Sequence, residues 1–199
     1  MKTLARTAIA LAVMGNCAAS LPAHALEQGD MLIRFGPTWV MPNDDSGEVE
    51  PLDNTGVSVG DGTSLGITFT YMLRDQIGLE LLGALPFEHD IEGTGDIDGI
   101  DIGTIEHLPP TLVMQYYFRP ETNMRPYVGA GLNYTTFFNE EADSELEAIV
   151  GDTDISLDDS TGLAVMAGVD YDFSDNWFFN ASLWYLDIET TAKLETENA

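Results

Sequence analysis

The stretch His107–Phe138 reads HLPPTLVMQYYFRPETNMRPYVGAGLNYTTFF, two apolar, aromatic-rich runs joined by a short turn with proline and arginine. In both runs large apolar residues alternate with small or polar ones at a period of two, which predicts β-strands. Each run is about 12 residues long, enough for a tilted strand to cross a bilayer, which takes ~9–11 residues. A soluble β-sandwich would show the same alternation, so the rest of the chain must decide between the two.

Five further segments alternate in the same way: Asp30–Met41, Thr63–Arg74, Ile77–Phe87, Gly162–Phe173 and Trp177–Ile188. Long and short connections alternate between the predicted strands, and the long ones are acidic: Pro42–Gly62, Glu88–Glu106 and Asn139–Asp159. Outer-membrane barrels have long outer loops and short periplasmic turns, whereas a sandwich has no reason to place every long loop at one end. The pattern therefore predicts an all-β, antiparallel transmembrane barrel.

The N-terminal segment Met1–Ala25 has the features of a secretory signal peptide. Lys2 and Arg6 precede an apolar run, and small residues lead to Ala23-His24-Ala25, which fits an A-x-A cleavage site. We therefore predict that residues 1–25 are removed and that residues 26–199 form one barrel domain. The only cysteine lies within the leader, so disulfides and thiolate metal sites are not expected in the mature chain.

The charge balance is strongly acidic. The chain has 34 acidic and seven basic residues, with a formal net charge of −27. Such a surface repels polyanions, which excludes nucleic acid as a partner.

Seven strands are recognisable, whereas single-chain bacterial barrels have an even number. The sequence after Thr191, AKLETENA, is polar and lacks an aromatic last strand. We therefore expect an eight-stranded barrel of which this chain carries seven strands, with the C-terminal strand missing.

Several segments together closely resemble the OmpW family of small outer-membrane barrels: GDMLIRFGPTWVMPN, HLPPTLVMQYYF, RPYVGAGLNYTTFF and WFFNASLWYLDIETTAK. The resemblance implies an eight-stranded barrel in the outer membrane of a Gram-negative cell that passes small hydrophobic molecules through a lateral opening in its wall. Outer-membrane lipids, lipopolysaccharide and small hydrophobic solutes are the implied partners. Because some members serve as bacteriocin receptors, bacteriocins are also implied.

The alternation also sorts the residues that face the lumen. Near the short turns they are polar and are expected to form a plug: Arg34, Glu80, Gln115, Tyr117, Asp170 and Asp172. Toward the long loops they are mainly apolar and are expected to form a pocket: Val40, Leu82, Ala84, Pro86, Val113, Phe137, Met166, Trp184 and Leu186. An eight-stranded barrel holds side chains or one small ligand, so an open aqueous pore is not expected. The plug charges could equally serve only to neutralise one another inside a closed barrel.

Pro109 and Pro110 mark the candidate lateral opening. Proline donates no ladder hydrogen bond, so two in succession interrupt pairing or force a bulge. An ordinary strand start explains the pair equally well from position alone, and the family resemblance favours the opening.

No catalytic, cofactor or metal site is predicted. Gly95–Gly103 resembles a calcium loop in composition but lacks the ligand spacing, and its alternation favours a hairpin extension above the membrane. A hydrolase would need Ser64 or Ser160 beside His89 or His107, and nothing in their spacing indicates this. The alternative to transport is a non-transporting structural, surface-receptor or adhesion barrel.

Overall fold

The structure is a computed structural model that describes residues 26–43, 55–118, 123–151, 153–174 and 176–196, and the backbone of 5–19. The described residues form one short helix and twelve strands. The strands are β1 (Ala5–Ala19), β2 (Met31–Val40), β3 (Thr55–Val59), β4 (Gly62–Arg74), β5 (Ile77–Ala84), β6 (Phe87–Gly95), β7 (Asp101–Leu108), β8 (Thr111–Tyr117), β9 (Met124–Ala142), β10 (Thr153–Leu157), β11 (Ser160–Ser174) and β12 (Trp177–Thr196). The helix, α1 (Ser144–Val150), lies between β9 and β10.

Eight of these strands close into an antiparallel ring, in the order β1, β2, β4, β5, β8, β9, β11 and β12, with β12 pairing back to β1. Closure leaves this wall without an edge strand, which lipid demands because it offers no hydrogen bonds to unpaired backbone groups. The seven predicted strands all lie in the wall, so the all-β barrel predicted from the alternation is confirmed.

The wall has the eight strands predicted, but the expectation that this chain carries only seven of them was wrong, because β1 occupies the place between β12 and β2. The apolar residues of β1 had been assigned to the signal peptide and excluded from the fold. The backbone of β1 pairs with β12 from Ala5↔Thr191 to Ala19↔Trp177 and with β2 on its other side. It thus fills the gap between these two strands, which would otherwise be edges of the wall. The removal of residues 1–25 stays a prediction, and the expected cleavage site at Ala23-His24-Ala25 lies outside the described residues.

The wall has an apolar outer surface. Along β2 exposed and buried residues alternate without exception, with Met31, Ile33 and Phe35 outward and Leu32 and Arg34 inward. The large outward side chains of the wall are 36–64% exposed, and aromatic residues stand near both rims: Trp39, Tyr134 and Tyr185 at one, and Tyr71, Tyr116, Tyr171 and Trp177 at the other. Such an apolar band between two aromatic girdles is typical of a barrel surrounded by lipid.

The alternation changes phase between β5 and β6. The pairing of β5 with β8 ends at Leu82↔Thr111, and the pairing of β6 with β7 begins at Phe87↔His107. Between these two pairs, the four residues 83–86 lie opposite the three residues 108–110. The extra residue acts as a bulge and reverses which positions point inward. Phe87 is therefore buried and Pro86 is exposed, which corrects the assignment of Pro86 to the lumen.

The long connections are more ordered than expected. β3, β6, β7 and the upper part of β9 form a second sheet above the wall, which is called the outer extension, and the β6–β7 hairpin confirms the extension predicted for Gly95–Gly103. Ile91, Ile102 and Ile105 of the outer extension form an apolar cluster with Ile155 of β10. α1 is capped by Asp143, whose side chain accepts a hydrogen bond from the Glu145 N–H at 2.9 Å. No helix among the described residues has the length and apolar character needed to cross a membrane.

Candidate functional site

The lower lumen, at the end of the short turns, is closed by a buried polar cluster around Arg34, which we call the plug. The guanidinium Nη1 donates to Glu80 Oε2 at 2.6 Å, and Nε and Nη2 donate to the two carboxylate oxygens of Asp170 at 3.1 and 2.9 Å. The hydroxyls of Thr70 and Tyr117 accept the two remaining bonds, each at 2.8 Å. All five N–H donors of an arginine are thus used inside the barrel, and Arg34 is 1% exposed.

The other residues predicted for the plug lie beside this centre. The Tyr117 hydroxyl donates to Gln115 Oε1 at 2.8 Å, and the Thr70 hydroxyl donates to Glu80 Oε2 at 2.6 Å. Asp172 lies lower, where it forms an ion pair with Arg125 Nη2 at 2.8 Å. The structure therefore brings together all six residues assigned to the plug, in two connected layers.

The plug also contains residues that were not predicted. Arg125 Nη2 lies 3.8 Å from Asp170 Oδ2, and Asn180 Nδ2 donates to Asp170 Oδ1 and to the Tyr127 hydroxyl at 2.8 and 2.7 Å. The ring of Phe178 lies under both guanidinium groups, 5.5 Å from that of Arg34 and 5.2 Å from that of Arg125. Arg125 and Tyr127 occupy odd-numbered positions of β9, as does Phe137, which the alternation assigns to the lumen, so the same alternation could have identified them.

Glycines make room for the large side chains of the plug. A Cβ atom on Gly168 would lie 2.5 Å from the ring and hydroxyl of Tyr127, and one on Gly78 would lie 2.8 Å from Thr70 Cγ2. A Cβ on Gly129 would approach Met166 and Gln115 to 3.1 and 3.2 Å. The lower lumen is therefore filled by side chains, as the width of an eight-stranded barrel leads one to expect.

The upper lumen contains most of the residues assigned to the apolar pocket. Six of them are at most 5% exposed and form one cluster, which we call the upper cluster: Val40, Leu82, Val113, Met166, Trp184 and Leu186. Ala84 and Phe137 are partly buried and pack against it. Pro86 does not belong to it, whereas the next residue, Phe87, is buried in the same cluster.

A row of hydrogen bonds crosses the inner wall between β8 and β9, beside the upper cluster. The Thr135 hydroxyl donates to Asn133 Oδ1 at 2.7 Å, and Asn133 Nδ2 donates to Thr111 Oγ1 at 2.9 Å. The Thr111 hydroxyl in turn donates to the Pro109 carbonyl at 2.8 Å. The upper lumen is thus less uniformly apolar than predicted, although these polar groups satisfy one another.

Pro109 and Pro110 lie where the wall ladder is interrupted. On the β9 side the connection holds, because the Tyr134 N–H donates to the Pro110 carbonyl at 3.0 Å. On the β5 side the paired residues end at Leu82↔Thr111 and resume at Phe87↔His107. Within the interval, the Leu85 N–H donates instead to Leu65 O of β4 at 2.9 Å. The prolines therefore border the bulged seam, with Pro109 buried and Pro110 exposed.

Four rings contact one another where the outer extension meets the wall, with Phe87 and His89 stacked on His107 and Phe137 tilted against it. The His107 ring centroid is 5.4 Å from that of Phe87, 4.8 Å from that of His89 and 5.9 Å from that of Phe137. Burial and the proximity of His89 lower the pKa of His107 to about 3, so this imidazole is neutral at physiological pH. Phe137 packs against both the upper cluster and the apolar cluster of the outer extension.

Comparisons with known proteins agree with this architecture. The family model described as "OmpW family" matches residues 27–199. Outer membrane protein W of Vibrio cholerae is 46% identical over 190 residues, covering 94% of this chain and 86% of that protein. The solution structure of Escherichia coli outer membrane protein W is 44% identical with a TM-score of 0.56, covering 87% of this chain and 88% of that one.

A crystal structure supports the same assignment. The outer membrane protein OprG from Pseudomonas aeruginosa is 26% identical with a TM-score of 0.57, covering 94% of this chain and 97% of that one. The family match, the close relatives and the lipid-facing wall agree on location as well as on fold. The chain is an outer-membrane β-barrel protein and belongs to the OmpW family.

Proposed function

We propose that this barrel takes up small hydrophobic molecules passively, through the upper cluster and out through the wall at Pro109 and Pro110. The observation that carries the proposal is the position of the plug directly beneath a largely apolar inner surface. A solute that enters from outside meets apolar side chains first and then a buried network of charges, where an apolar molecule would gain nothing and would disrupt hydrogen bonds. A sideways route into the membrane avoids that barrier.

The bulged seam supports a sideways exit. Residues 83–86 and 108–110 are the part of the wall between β5 and β8 in which the ladder is interrupted. Neither proline has an N–H, so fewer hydrogen bonds must be broken to separate the strands there than elsewhere in the wall. Pro109 lies on the buried face of the seam and Pro110 on its outer face. A solute that passed between the strands here would therefore move from the lumen to the lipid-facing surface.

The remaining partner predictions belong to the same proposal. The exposed apolar band suits outer-membrane lipid, and lipopolysaccharide would surround the upper rim. Bacteriocin binding rests on the family resemblance and would involve the outer extension. We also propose that the chain is not an enzyme. The Ser64 hydroxyl donates to Leu85 O at 2.9 Å, and Ser160 Oγ accepts from the Glu189 N–H at 2.9 Å, so both hydroxyls are engaged by the backbone.

The order of the outer extension favours a second candidate, a surface receptor or adhesion barrel. This sheet has its own apolar cluster and acidic exposed residues, which a partner at the cell surface could recognise. Cells that carry the full-length protein and cells with an empty vector separate the two candidates. Faster uptake of radiolabelled naphthalene by the former supports transport, and equal rates would reject transport and leave the receptor candidate.

A double variant tests the exit. Pro109→Val with Pro110→Val restores two N–H donors and should close the seam, so uptake should fall while the barrel becomes no less stable, since a restored hydrogen bond contributes about 0.5–1.5 kcal/mol. Pro37→Val is the matched control, because Pro37 lies outward on β2 and is separated from the seam by β4. A double variant that folds and transports at the parental rate would show that the exit lies elsewhere.

A further inference from the structure

One buried hydroxyl at the junction of the plug and the upper cluster has no hydrogen-bond partner among the described residues. Thr68 is 2% exposed, and its Oγ1 contacts no donor or acceptor there. The other buried hydroxyls of the wall differ in this respect. Thr70 and Thr111 donate to Glu80 and to Pro109, and the Ser182 Oγ accepts from Trp184 Nε1 at 3.2 Å. A buried hydroxyl without a partner is unfavourable, so a site that keeps one is expected to be completed by something else.

The position of Thr68 indicates where that partner would lie. Its cross-strand neighbours are Arg34 of the plug on β2 and Leu82 of the upper cluster on β5. Side chains paired in this way lie side by side on the inner face. The N–H donors of Arg34 are already used, and Leu82 offers only apolar surface. The Thr68 hydroxyl is therefore an unpaired polar group at the base of the upper cluster.

The inner wall next to Thr68 is built from the smallest residues. Gly66 is the next inward residue of β4, and it pairs with Gly36 on one side and with Ala84 on the other. None of the three carries a side chain beyond Cβ, so the wall is thin above the hydroxyl. We call this row the recess, and the unpaired hydroxyl points into the barrel beside it.

We infer that Thr68 and the recess hold the polar end of the transported solute, which selects small hydrophobic molecules that carry one hydrogen-bonding group, such as a phenol or an alcohol. This inference rests on the proposed function and specifies its substrate class. A hydroxylated ring would place its polar group against Thr68 Oγ1 and its apolar body against Leu82 and the rest of the upper cluster. A pure hydrocarbon would make the same apolar contacts but would leave the Thr68 hydroxyl unpaired.

The test compares 2-naphthol with naphthalene, two solutes of the same shape that differ by one hydroxyl. Binding to the full chain in lipid nanodiscs at pH 7 is measured after subtraction of empty nanodiscs. Thr68→Val removes the hydroxyl at constant shape and should weaken 2-naphthol binding about fivefold, with naphthalene affinity unchanged. Thr68→Ser keeps the hydroxyl and should retain the preference. Thr135→Val is the control, because that hydroxyl is already bonded to Asn133.

The outcomes separate the two proposals. If cells take up naphthalene but Thr68→Val changes the affinity for both solutes equally, the role of Thr68 is wrong and the transport proposal stands. Failure of the parent protein to bind or take up either solute would reject the proposed function itself. Should Thr68→Val fail to fold, threonine-methyl NMR of the parent protein decides. The Thr68 signal should shift more with 2-naphthol than with naphthalene, and equal shifts would overturn the inference.

Discussion

Replacing Arg34 by methionine should destabilise the barrel more than any other single change in the lower lumen. The side chain is 1% exposed and makes five hydrogen bonds, three of them to the carboxylates of Glu80 and Asp170. Methionine fills much of the volume but leaves two buried carboxylates, with Arg125 3.8 Å from Asp170 as the nearest described cation. Removing one partner of a buried ion pair costs about 3–5 kcal/mol. We expect the upper part of that range, because two acidic partners lose their counter-ion.

Urea unfolding of the protein in lipid vesicles, followed by tryptophan fluorescence, measures this loss. With a dependence of roughly 2 kcal/mol per molar urea, the midpoint should fall by about 2 M. Arg74→Met is the control, because Arg74 is exposed at a short turn and its loss should change stability by less than about 0.5 kcal/mol.

A triple variant tests the electrostatic reasoning. Adding Glu80→Gln and Asp170→Asn to Arg34→Met removes the uncompensated charges, so about half or more of the lost stability should return, as neutral replacements of buried ion pairs are tolerated. The reasoning is refuted if Arg34→Met costs no more than Arg74→Met. It is refuted equally if the triple variant is no more stable than Arg34→Met alone.

Three further predictions concern other parts of the chain. Gly168→Ala places a Cβ 2.5 Å from Tyr127 and should cost about 1–3 kcal/mol in the same urea assay, whereas Gly83→Ala, whose Cβ would have 3.9 Å of clearance, should be nearly neutral. The pKa of His107 in the folded protein lies below the unfolded value of 6.5, so its contribution to stability is full above pH 6.5 and is lost as the pH falls toward about 3. Between pH 7 and pH 5 the parent protein should therefore lose about 2 kcal/mol more stability than His107→Phe. Equal losses in the two proteins would contradict a neutral buried imidazole. Protease added to intact cells should cut within Asn139–Asp159 and spare the turn Glu121–Arg125, and cleavage confined to the short turns would invert the topology.

The wall could be predicted from sequence because the outward and inward environments differ so strongly. Lipid on one side and a packed lumen on the other impose a strict period of two, as in β2. The long and short connections distinguish the predicted outer end of the barrel from the predicted periplasmic end. The six residues assigned to the plug followed from parity alone. The same rule failed at Pro86, because a single extra residue in residues 83–86 reverses the parity and no residue type in that segment marks where the bulge falls.

Other features depend on tertiary contacts that local patterns do not encode. The sequence predicts mostly loop for the outer extension, because its acidic residues obscure apolar positions such as Ile91 of β6 and Ile105 of β7, which belong to one apolar cluster. Arg125 borders a short turn in the sequence, and its role in the plug depends on Asp172 of the distant strand β11. The unpaired hydroxyl of Thr68 could not be anticipated, because threonine is common in any strand.

The plug joins parts of the chain that are far apart in sequence. Arg34 is separated from Glu80 by 46 residues, from Tyr117 by 83 and from Asp170 by 136. Contacts of such long range form only after the loops between them have closed, which is entropically costly and slow. We therefore expect the arginine and its acidic partners to keep their hydration during insertion into the membrane until the strands that carry them have come together. If the plug forms after the transition state for folding, its contacts should lower the unfolding rate more than they raise the folding rate.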